Sequence, residues 1–91
     1  MRGLVAFLEE RHVEFAVVSV HEYVMKSPTP NKDKLIAAFT REFGAPTVLM
    51  SQDARGRLEF CGRLDLAQWL ENNIPDPSEL PWREFTITLA A

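Results

Sequence analysis

Residues 15–20 read FAVVSV, a run of apolar and β-branched side chains that is broken by one serine. A strand with one face in water alternates apolar and polar residues, whereas a strand covered on both faces is apolar almost throughout. The run therefore predicts a central strand that is covered on both faces. Strands of this kind are typical of parallel pairing.

Helices are predicted on both sides of this strand along the chain. Leu4, Phe7 and Leu8 fall at helical spacing and predict a short helix over residues 3–11. A second helix is predicted between Thr29, a suitable N-cap, and Gly44, a natural C-terminal cap. Its apolar stripe consists of Leu35, Ile36, Phe39 and Phe43.

The second half of the chain adds a hairpin, a helix and a last strand. Residues 47–50 and 57–61 predict two strands around a turn at residues 53–56. Asp65 is predicted to cap the next helix, with Gln68 as its capping-box partner. Three prolines in residues 75–82 make a connector to a strand over residues 83–89, which alternates Phe85, Ile87 and Leu89 with polar residues.

These elements have the order α-β-α-β-β-α-β and predict a single α/β domain over residues 1–91. Its architecture is a small α/β sandwich with helices packed on a mixed sheet. A chain of 91 residues is long enough for one domain and too short for two. The apolar fraction of 46% is that of an ordinary globular protein, so disorder is not expected.

The net charge limits the classes of partner that are expected, and the cysteine content limits the cellular compartment. The formal net charge is −3, so the basic surface that nucleic acid requires is not expected. No apolar run has the length of a membrane span, and the first residues do not have the pattern of a signal peptide. Cys61 is the single cysteine, which excludes an internal disulfide and fits a reducing compartment. We therefore expect a cytoplasmic protein that binds neither nucleic acid nor membranes.

Short motifs in the middle of the chain resemble the thioredoxin-like fold, and glutaredoxins in particular. Ala45-Pro46-Thr47 places a proline before the first hairpin strand, and residues 62–66 read GRLDL at the start of the last helix. The resemblance spans residues 3–74. It implies a cis bond before Pro46 and a glutathione site at Pro46, Gly62 and Asp65, with Asp65 near the glutathione amino group. The first strand of that family and its Cys-x-x-Cys motif have no counterpart here.

Few residues suggest catalysis. Cys61 is the one nucleophile of note, but it lies on a predicted strand, and free cysteines are usually buried packing residues. His12 and His21 are far apart, and neither has a cysteine or carboxylate at ligand spacing, so no metal site is predicted. His21 follows the central strand, where α/β sheets often place functional groups.

The end of the chain suggests a surface for a partner. Trp82 is interpreted either as a lid over the core or as an anchor at an interface, where tryptophan is enriched. Phe85, Ile87 and Leu89 need a covered face, which either the chain's own sheet or a second copy can provide. Exchange of this strand between copies would give a homodimer.

The sequence therefore favours a non-catalytic protein-interaction or regulatory module on a thioredoxin-like scaffold. The alternative is a glutathione-linked or monothiol redox enzyme that uses Cys61, with glutathione as its cofactor.

Overall fold

The N-terminal segment, for which the sequence predicts a helix, is a β-strand in the computed structural model, which describes residues 2–74 and 76–87. β1 (Arg2–Glu10) pairs antiparallel with β2 (Val13–Ser19), from Leu4 opposite Ser19 to Glu10 opposite Val13. The turn residues Arg11 and His12 both have positive φ, as a tight two-residue hairpin requires. The predicted helix over residues 3–11 is therefore wrong.

The remaining elements include two short helices that the sequence did not predict, the first α-helix and a 3₁₀ helix. In chain order, these elements are α1 (Glu22–Met25), α2 (Thr29–Phe43), β3 (Thr47–Gln52), β4 (Leu58–Cys61), α3 (Leu64–Asn73), a short 3₁₀ helix (Pro77–Glu79) and β5 (Trp82–Thr86). The five strands form one mixed sheet in the order β4-β3-β2-β1-β5. β2 and β3 are parallel, and the other neighbouring strands are antiparallel. The prediction of a central strand with a parallel neighbour is confirmed.

One long helix lies against each face of the sheet. On the α2 face, the buried residues are Val5, Ala16, Val18, Met25, Phe39, Leu49 and Ile87. On the α3 face, they are Phe15, Val17, Val48, Met50, Leu66, Ala67 and Leu70. Successive residues of a strand point to opposite faces, so both sets alternate along β2. An α/β sandwich on a mixed sheet is thereby confirmed, although it begins with a strand.

Aromatic rings hold α2 against the outer strands. The ring of Phe85 packs edge-on against Phe39 and Phe43, at centroid distances of 5.6 and 5.4 Å. Phe85 lies opposite Gly3 in the β1–β5 ladder, and a Cβ atom at Gly3 would come within 2.9 Å of the Phe85 ring. The absence of a side chain at Gly3 therefore makes room for Phe85 to reach α2. Edge-to-face contacts of this kind add to the stabilisation from apolar burial.

The predicted hairpin and its turn are confirmed. β3 and β4 pair from Leu49 opposite Cys61 to Gln52 opposite Leu58. The Asp53 carboxylate accepts hydrogen bonds from the backbone N–H groups of Arg55 and Arg57, at 2.8 and 2.9 Å. The bond from the Arg57 N–H is the main cause that lowers the pKa of Asp53.

The two predicted helix N-caps are wrong by one or two residues. Helix α2 already includes Thr29 and has Pro28 at its N-cap position, and α3 is preceded by Arg63 rather than Asp65. The Asp65 carboxylate instead contacts Arg63, with 2.9 Å between Arg63 Nε and Asp65 Oδ1. Asp65 still lies in the first turn of α3, where a negative charge is favourable for the helix dipole.

Gly62 fixes the junction between β4 and α3. Its φ is 155°, and a Cβ atom there would lie 2.9 Å from the backbone oxygen of Thr47. Gly44 also has positive φ, at 67°, but a Cβ atom at Gly44 would meet nothing within 4 Å. A side chain at Gly44 would therefore strain only the backbone conformation, whereas one at Gly62 would also overlap with β3.

Gly62→Ala is expected to destabilise the fold by about 2 kcal/mol or more, because strain and overlap with the β3 backbone act together. Gly44→Ala, the matched control, is expected to cost about 1 kcal/mol from backbone conformation alone. Urea unfolding of both variants measures the difference. Equal losses of stability would contradict the close approach of Gly62 to β3.

Candidate functional site

The direction of the backbone groups in β2 determines which side of β1 is free. The N–H groups of Ala16 and Val20 donate to the carbonyl oxygens of Pro46 and Met50, both at 2.8 Å, so the even-numbered residues of β2 face β3. The odd-numbered residues of β2, among them Phe15, therefore face β1. Leu8 lies opposite Phe15 and exchanges backbone hydrogen bonds with it.

Since alternate residues of a strand direct their backbone groups to opposite sides, Phe7 and Glu9 direct theirs away from β2. On that side β1 pairs with β5, but only from Arg2 to Ala6. The Ala6–Trp82 pair that ends this ladder places the Phe7 N–H against the Pro81 carbonyl, so this donor belongs to the ladder. Within the described ranges, no hydrogen bond is formed to the Phe7 C=O or to the outward N–H and C=O groups of Glu9. We call residues 7–10 of β1 the open edge.

A proline ends the ladder between β1 and β5. Trp82 lies opposite Ala6, so Pro81 is the residue that would lie opposite Phe7. Pro81 has no N–H to donate to the Phe7 carbonyl. The Trp82 N–H donates instead to the Leu80 carbonyl at 2.8 Å, which turns the chain away from β1. The Phe7 carbonyl is therefore left unpaired because of the position of this proline.

Apolar side chains flank the open edge on both faces of the sheet. Phe7 is 42% exposed, although its ring packs edge-on against Phe43 at a centroid distance of 5.5 Å. Leu8 lies on the α3 face and is half-buried against the core there. Phe7, Leu8, Glu9 and Glu14 line a shallow notch of about 340 Å³. The edge thus combines free backbone groups with partly exposed apolar surface.

The same stretch carries uncompensated negative charge. Glu9 and Glu14 lie directly opposite each other on β1 and β2, and both are exposed. Like charges in this arrangement repel each other. Neither carboxylate forms an ion pair with a described residue, whereas Glu10 contacts Arg11, with 3.7 Å between Glu10 Oε1 and Arg11 Nε. The negative charge at the open edge therefore comes from Glu9 and Glu14.

Glu14→Gln is expected to raise the melting temperature, because it removes the repulsion of Glu9 at a gain of less than about 1 kcal/mol. Glu59→Gln on β4 is the matched control, since Glu59 is an exposed strand residue opposite Ser51. Thermal melts at low and high salt measure the effect. Screening should shrink the gain from Glu14→Gln. An equal gain from Glu59→Gln, or no change with salt, would contradict repulsion between Glu9 and Glu14.

The residues that the glutathione resemblance implies lie at the other end of the sheet. Cys61 is half-buried and packs against the α2-face core. It lines a groove of about 310 Å³ with Asp33, Ile36, Ala37, Gly62 and Arg63. Gly62 approaches Thr47 and Val48, the first residues of β3, which directly follow Pro46 in the chain. The Arg63 guanidinium is paired with Asp65 rather than held free.

The predicted cis bond before Pro46 is wrong, because the Ala45–Pro46 peptide is trans. The Pro46 carbonyl accepts the hydrogen bond from the Ala16 N–H, so this segment is tied to the central strand as part of the sheet.

The residues predicted for an interface are distributed over both faces. Trp82 packs on the α3 face, and its indole N–H donates to the Pro77 carbonyl at 2.7 Å. Phe85 and Ile87 belong to the α2-face core. β5 spans Trp82–Thr86 and pairs with β1 of its own chain, so the predicted bounds of 83–89 differ from the observed ones. Leu89 lies outside the described residues.

The two histidines lie at opposite ends of β2. His12 is exposed in the β1–β2 turn, and His21 precedes α1, where its Nδ1 accepts a hydrogen bond from the Tyr23 N–H at 3.3 Å. Residues 2–74 and 76–87 contain no group of three or more histidine, cysteine or acidic side chains that could hold a metal ion. No helix in these ranges is long and apolar enough to cross a membrane.

Comparison with known proteins adds no family to this description. No protein-family model, curated protein or solved structure matches the chain. The geometry of the open edge and of the Cys61 groove is therefore the basis for any functional proposal.

Cys61→Ser is expected to fold and to retain partner binding, because the Cys61 side chain fills space on the α2 face and its nearest guanidinium is engaged by Asp65. Circular dichroism and thermal melting of the variant check the fold. Alkylation of the native protein near neutral pH should be no faster than that of a free cysteine. Rapid alkylation would indicate an activated thiolate and would favour the enzyme alternative.

Proposed function

We propose that this chain is a non-catalytic protein-interaction module that binds an extended segment of a partner at the open edge. The observation that carries this proposal is the unpaired outer side of β1 from the Phe7 carbonyl to Glu9, next to partly exposed apolar side chains. Addition of a strand to a sheet edge provides backbone hydrogen bonds for affinity and side-chain contacts for specificity. A regulatory role would follow if the partner's segment is free only in one of its states.

Preorganisation supports the open edge as the binding surface. β1 is paired with β2 along residues 4–10, so the free Phe7 carbonyl and the free backbone groups of Glu9 already have strand geometry. Binding therefore orders mainly the partner's segment, and the conformational free energy that this chain loses is small. The Phe7 carbonyl and the N–H and C=O groups of Glu9 offer up to three backbone hydrogen bonds.

Two other sheet edges compare less well with the open edge. The outer side of β5 displays the charged residues Arg83 and Glu84, which native sheets use to discourage pairing. β4 has four residues, and none of them is an exposed large apolar side chain. The open edge differs from both because it carries an exposed large apolar side chain, that of Phe7.

The thioredoxin-like scaffold is part of the same proposal. Its support is the order β-α-β-β-α from β2 to α3 that the resemblance implied, apart from the additional short helix α1. A homodimer is likewise a proposal, and it would require a contact other than exchange of β5, which pairs within its own chain.

The test is a selection of random extended peptides on the purified chain, followed by binding to two proline variants. Glu9→Pro removes an N–H that points out of the open edge and leaves the ladder with β2 intact. Glu84→Pro is the matched control, because Glu84 is an exposed glutamate whose N–H points out of β5. We expect the selected peptides to lose binding to Glu9→Pro and to retain it with Glu84→Pro.

The opposite pattern would move the binding surface to β5. Peptides that bind both variants as well as the parent chain would overturn strand addition at the open edge. Melting curves of both variants establish that each is folded under the binding conditions.

A further inference from the structure

We propose that two copies of this chain associate through the outer side of β4, which we call the β4 edge, in an antiparallel pairing with a two-fold axis at Leu58. The five-stranded sheets of the two copies then form one continuous sheet. β4 lies at the opposite end of the strand order from β1 and β5. This inference therefore goes beyond the proposed function and does not depend on the open edge.

Alternate residues of β4 direct their backbone groups away from the sheet. The Asp53 N–H donates to the Arg57 carbonyl at 2.9 Å, so the backbone groups of Arg57 face β3, and those of Glu59 do so as well. The backbone groups of Leu58 and Phe60 therefore face outward. In the part of the chain that the structure describes, no hydrogen bond is formed to these outward N–H and C=O groups.

The charges beside Leu58 are self-complementary. Arg57 and Glu59 flank Leu58, are exposed, and lie on the same face of the sheet because side chains alternate along a strand. A pairing centred on Leu58 places Arg57 of each copy opposite Glu59 of the other. Side chains come closest in the residue pairs next to a hydrogen-bonded pair. Two ion pairs would thus flank the hydrogen-bonded Leu58 residues, and opposite charges in such positions are stabilising.

The side chains of Arg57 and Glu59 are available for this contact. Arg57 is 81% exposed, and its Nε lies 3.5 Å from Asp53 Oδ2, which is long for a charge-assisted hydrogen bond. Asp53 accepts shorter hydrogen bonds from the backbone N–H groups of Arg55 and Arg57, at 2.8 and 2.9 Å. The Asp53 carboxylate therefore keeps partners when the Arg57 side chain turns to the other copy. Glu59 forms no ion pair with a described residue.

The neighbouring registers bring like charges together. In a pairing centred on Glu59, each Glu59 lies opposite its own counterpart, which is destabilising. A pairing centred on Phe60 brings Arg57 opposite Arg63 of the other copy. It would also extend to Gly62, where the chain leaves β4 for α3. The charges therefore favour the pairing centred on Leu58.

In this register the second copy avoids the segments that lead into and out of β4. Gly56 of the second copy lies opposite Phe60, and there its strand ends in its own turn, before it reaches Gly62. At the other end, Cys61 of the second copy lies opposite Arg55, within the turn that leads back to β3. Helix α3 of the second copy therefore begins beyond the end of this hairpin.

The contact is small, because each copy contributes a few residues of one strand. Interfaces of this size are weak, and their occupancy rises with protein concentration. Dilute samples, such as those used for thermal melting, therefore contain the monomer.

Charge exchange at two positions tests the pairing. Arg57→Glu and Glu59→Arg each place like charges opposite each other when the variant pairs with itself, so each variant alone should dimerise about tenfold more weakly than the parent chain. Mixed in equal amounts, the two variants regain opposite charges at both positions and should dimerise as well as the parent chain. Sedimentation velocity at low salt, from dilute to millimolar concentration, measures the dimer fraction.

Arg83→Glu and Glu84→Arg on β5 are the matched controls. They change the net charge by the same amounts, at exposed residues of the strand at the other end of the sheet. Each control alone should dimerise like the parent chain, and mixing should have no effect. Hydrogen exchange of the Leu58 amide in the parent chain is a readout that needs no variant, and its protection should increase with protein concentration.

Circular dichroism verifies that the variants fold. If Arg57→Glu is unstable because it places a second carboxylate beside Asp53, Glu59→Arg alone and the Leu58 amide decide the outcome.

A parent chain that stays monomeric at millimolar concentration would overturn the inference, as would exchange of the Leu58 amide that does not depend on concentration. Variants that dimerise alone as strongly as the parent chain, or a mixture that does not dimerise, would overturn the pairing centred on Leu58. Equal effects of the β5 variants would reduce the association to net charge and overturn it as well. None of these results bears on strand addition at the open edge, which the peptide selection tests separately.

Discussion

Pro81 has no backbone N–H to donate, and this determines how far β5 pairs along the outer side of β1. β1 is nine residues long and pairs with β2 through Glu10, whereas the ladder with β5 stops at Ala6. Beyond that point the chain has a proline where a donor is needed, and the Trp82 N–H turns back to Leu80. The connector then crosses the α3 face, where the Trp82 indole is held by Pro77. The end of the β5 ladder and the open edge thus have one cause.

Packing on both faces keeps this edge in place. On the α2 face, Phe7 contacts Phe43, which also contacts Phe85, so the open edge and β5 are held by the same helix. On the α3 face, Leu8 packs with the cluster around Phe15. A strand supported on both faces and paired on one side offers its remaining side in fixed geometry. Such a surface favours binding because little of it has to be ordered.

The elements predicted correctly are those whose residue pattern fits only one type of secondary structure. The FAVVSV run predicted a central strand, the Asp53–Gly56 turn predicted the hairpin, and Gly44 predicted the end of α2, where its φ is 67°. β1 was mistaken because residues 4–8 are all apolar, and such a run satisfies a helical and an extended pattern alike. β1 is a strand because it pairs with β2 and β5. The pairing with β5 involves residues about 80 positions away, which the local sequence does not show.

The open edge could not be predicted from the sequence. It depends on the register that places Pro81 beside Phe7, and this register follows from the fit of Phe85 over Gly3. Glu9 and Glu14 become neighbours only when a two-residue turn joins β1 to β2. The candidates that the sequence did offer, Cys61, Gly62 and Asp65, lie together at the β4–α3 junction. Gly62 has a structural role there because it approaches β3 closely, and Asp65 has one because it pairs with Arg63.

Amide hydrogen exchange tests the open edge most directly, because it reports each backbone N–H of β1 in the free protein. The N–H groups of Val5 and Leu8 are bonded to β5 and β2, so they should exchange slowly. The N–H of Glu9 directly follows that of Leu8 and points into solvent, so it should exchange quickly although it belongs to the same strand. Slow exchange at Glu9, equal to that of Leu8, would mean that this side of β1 is covered and would contradict the open edge.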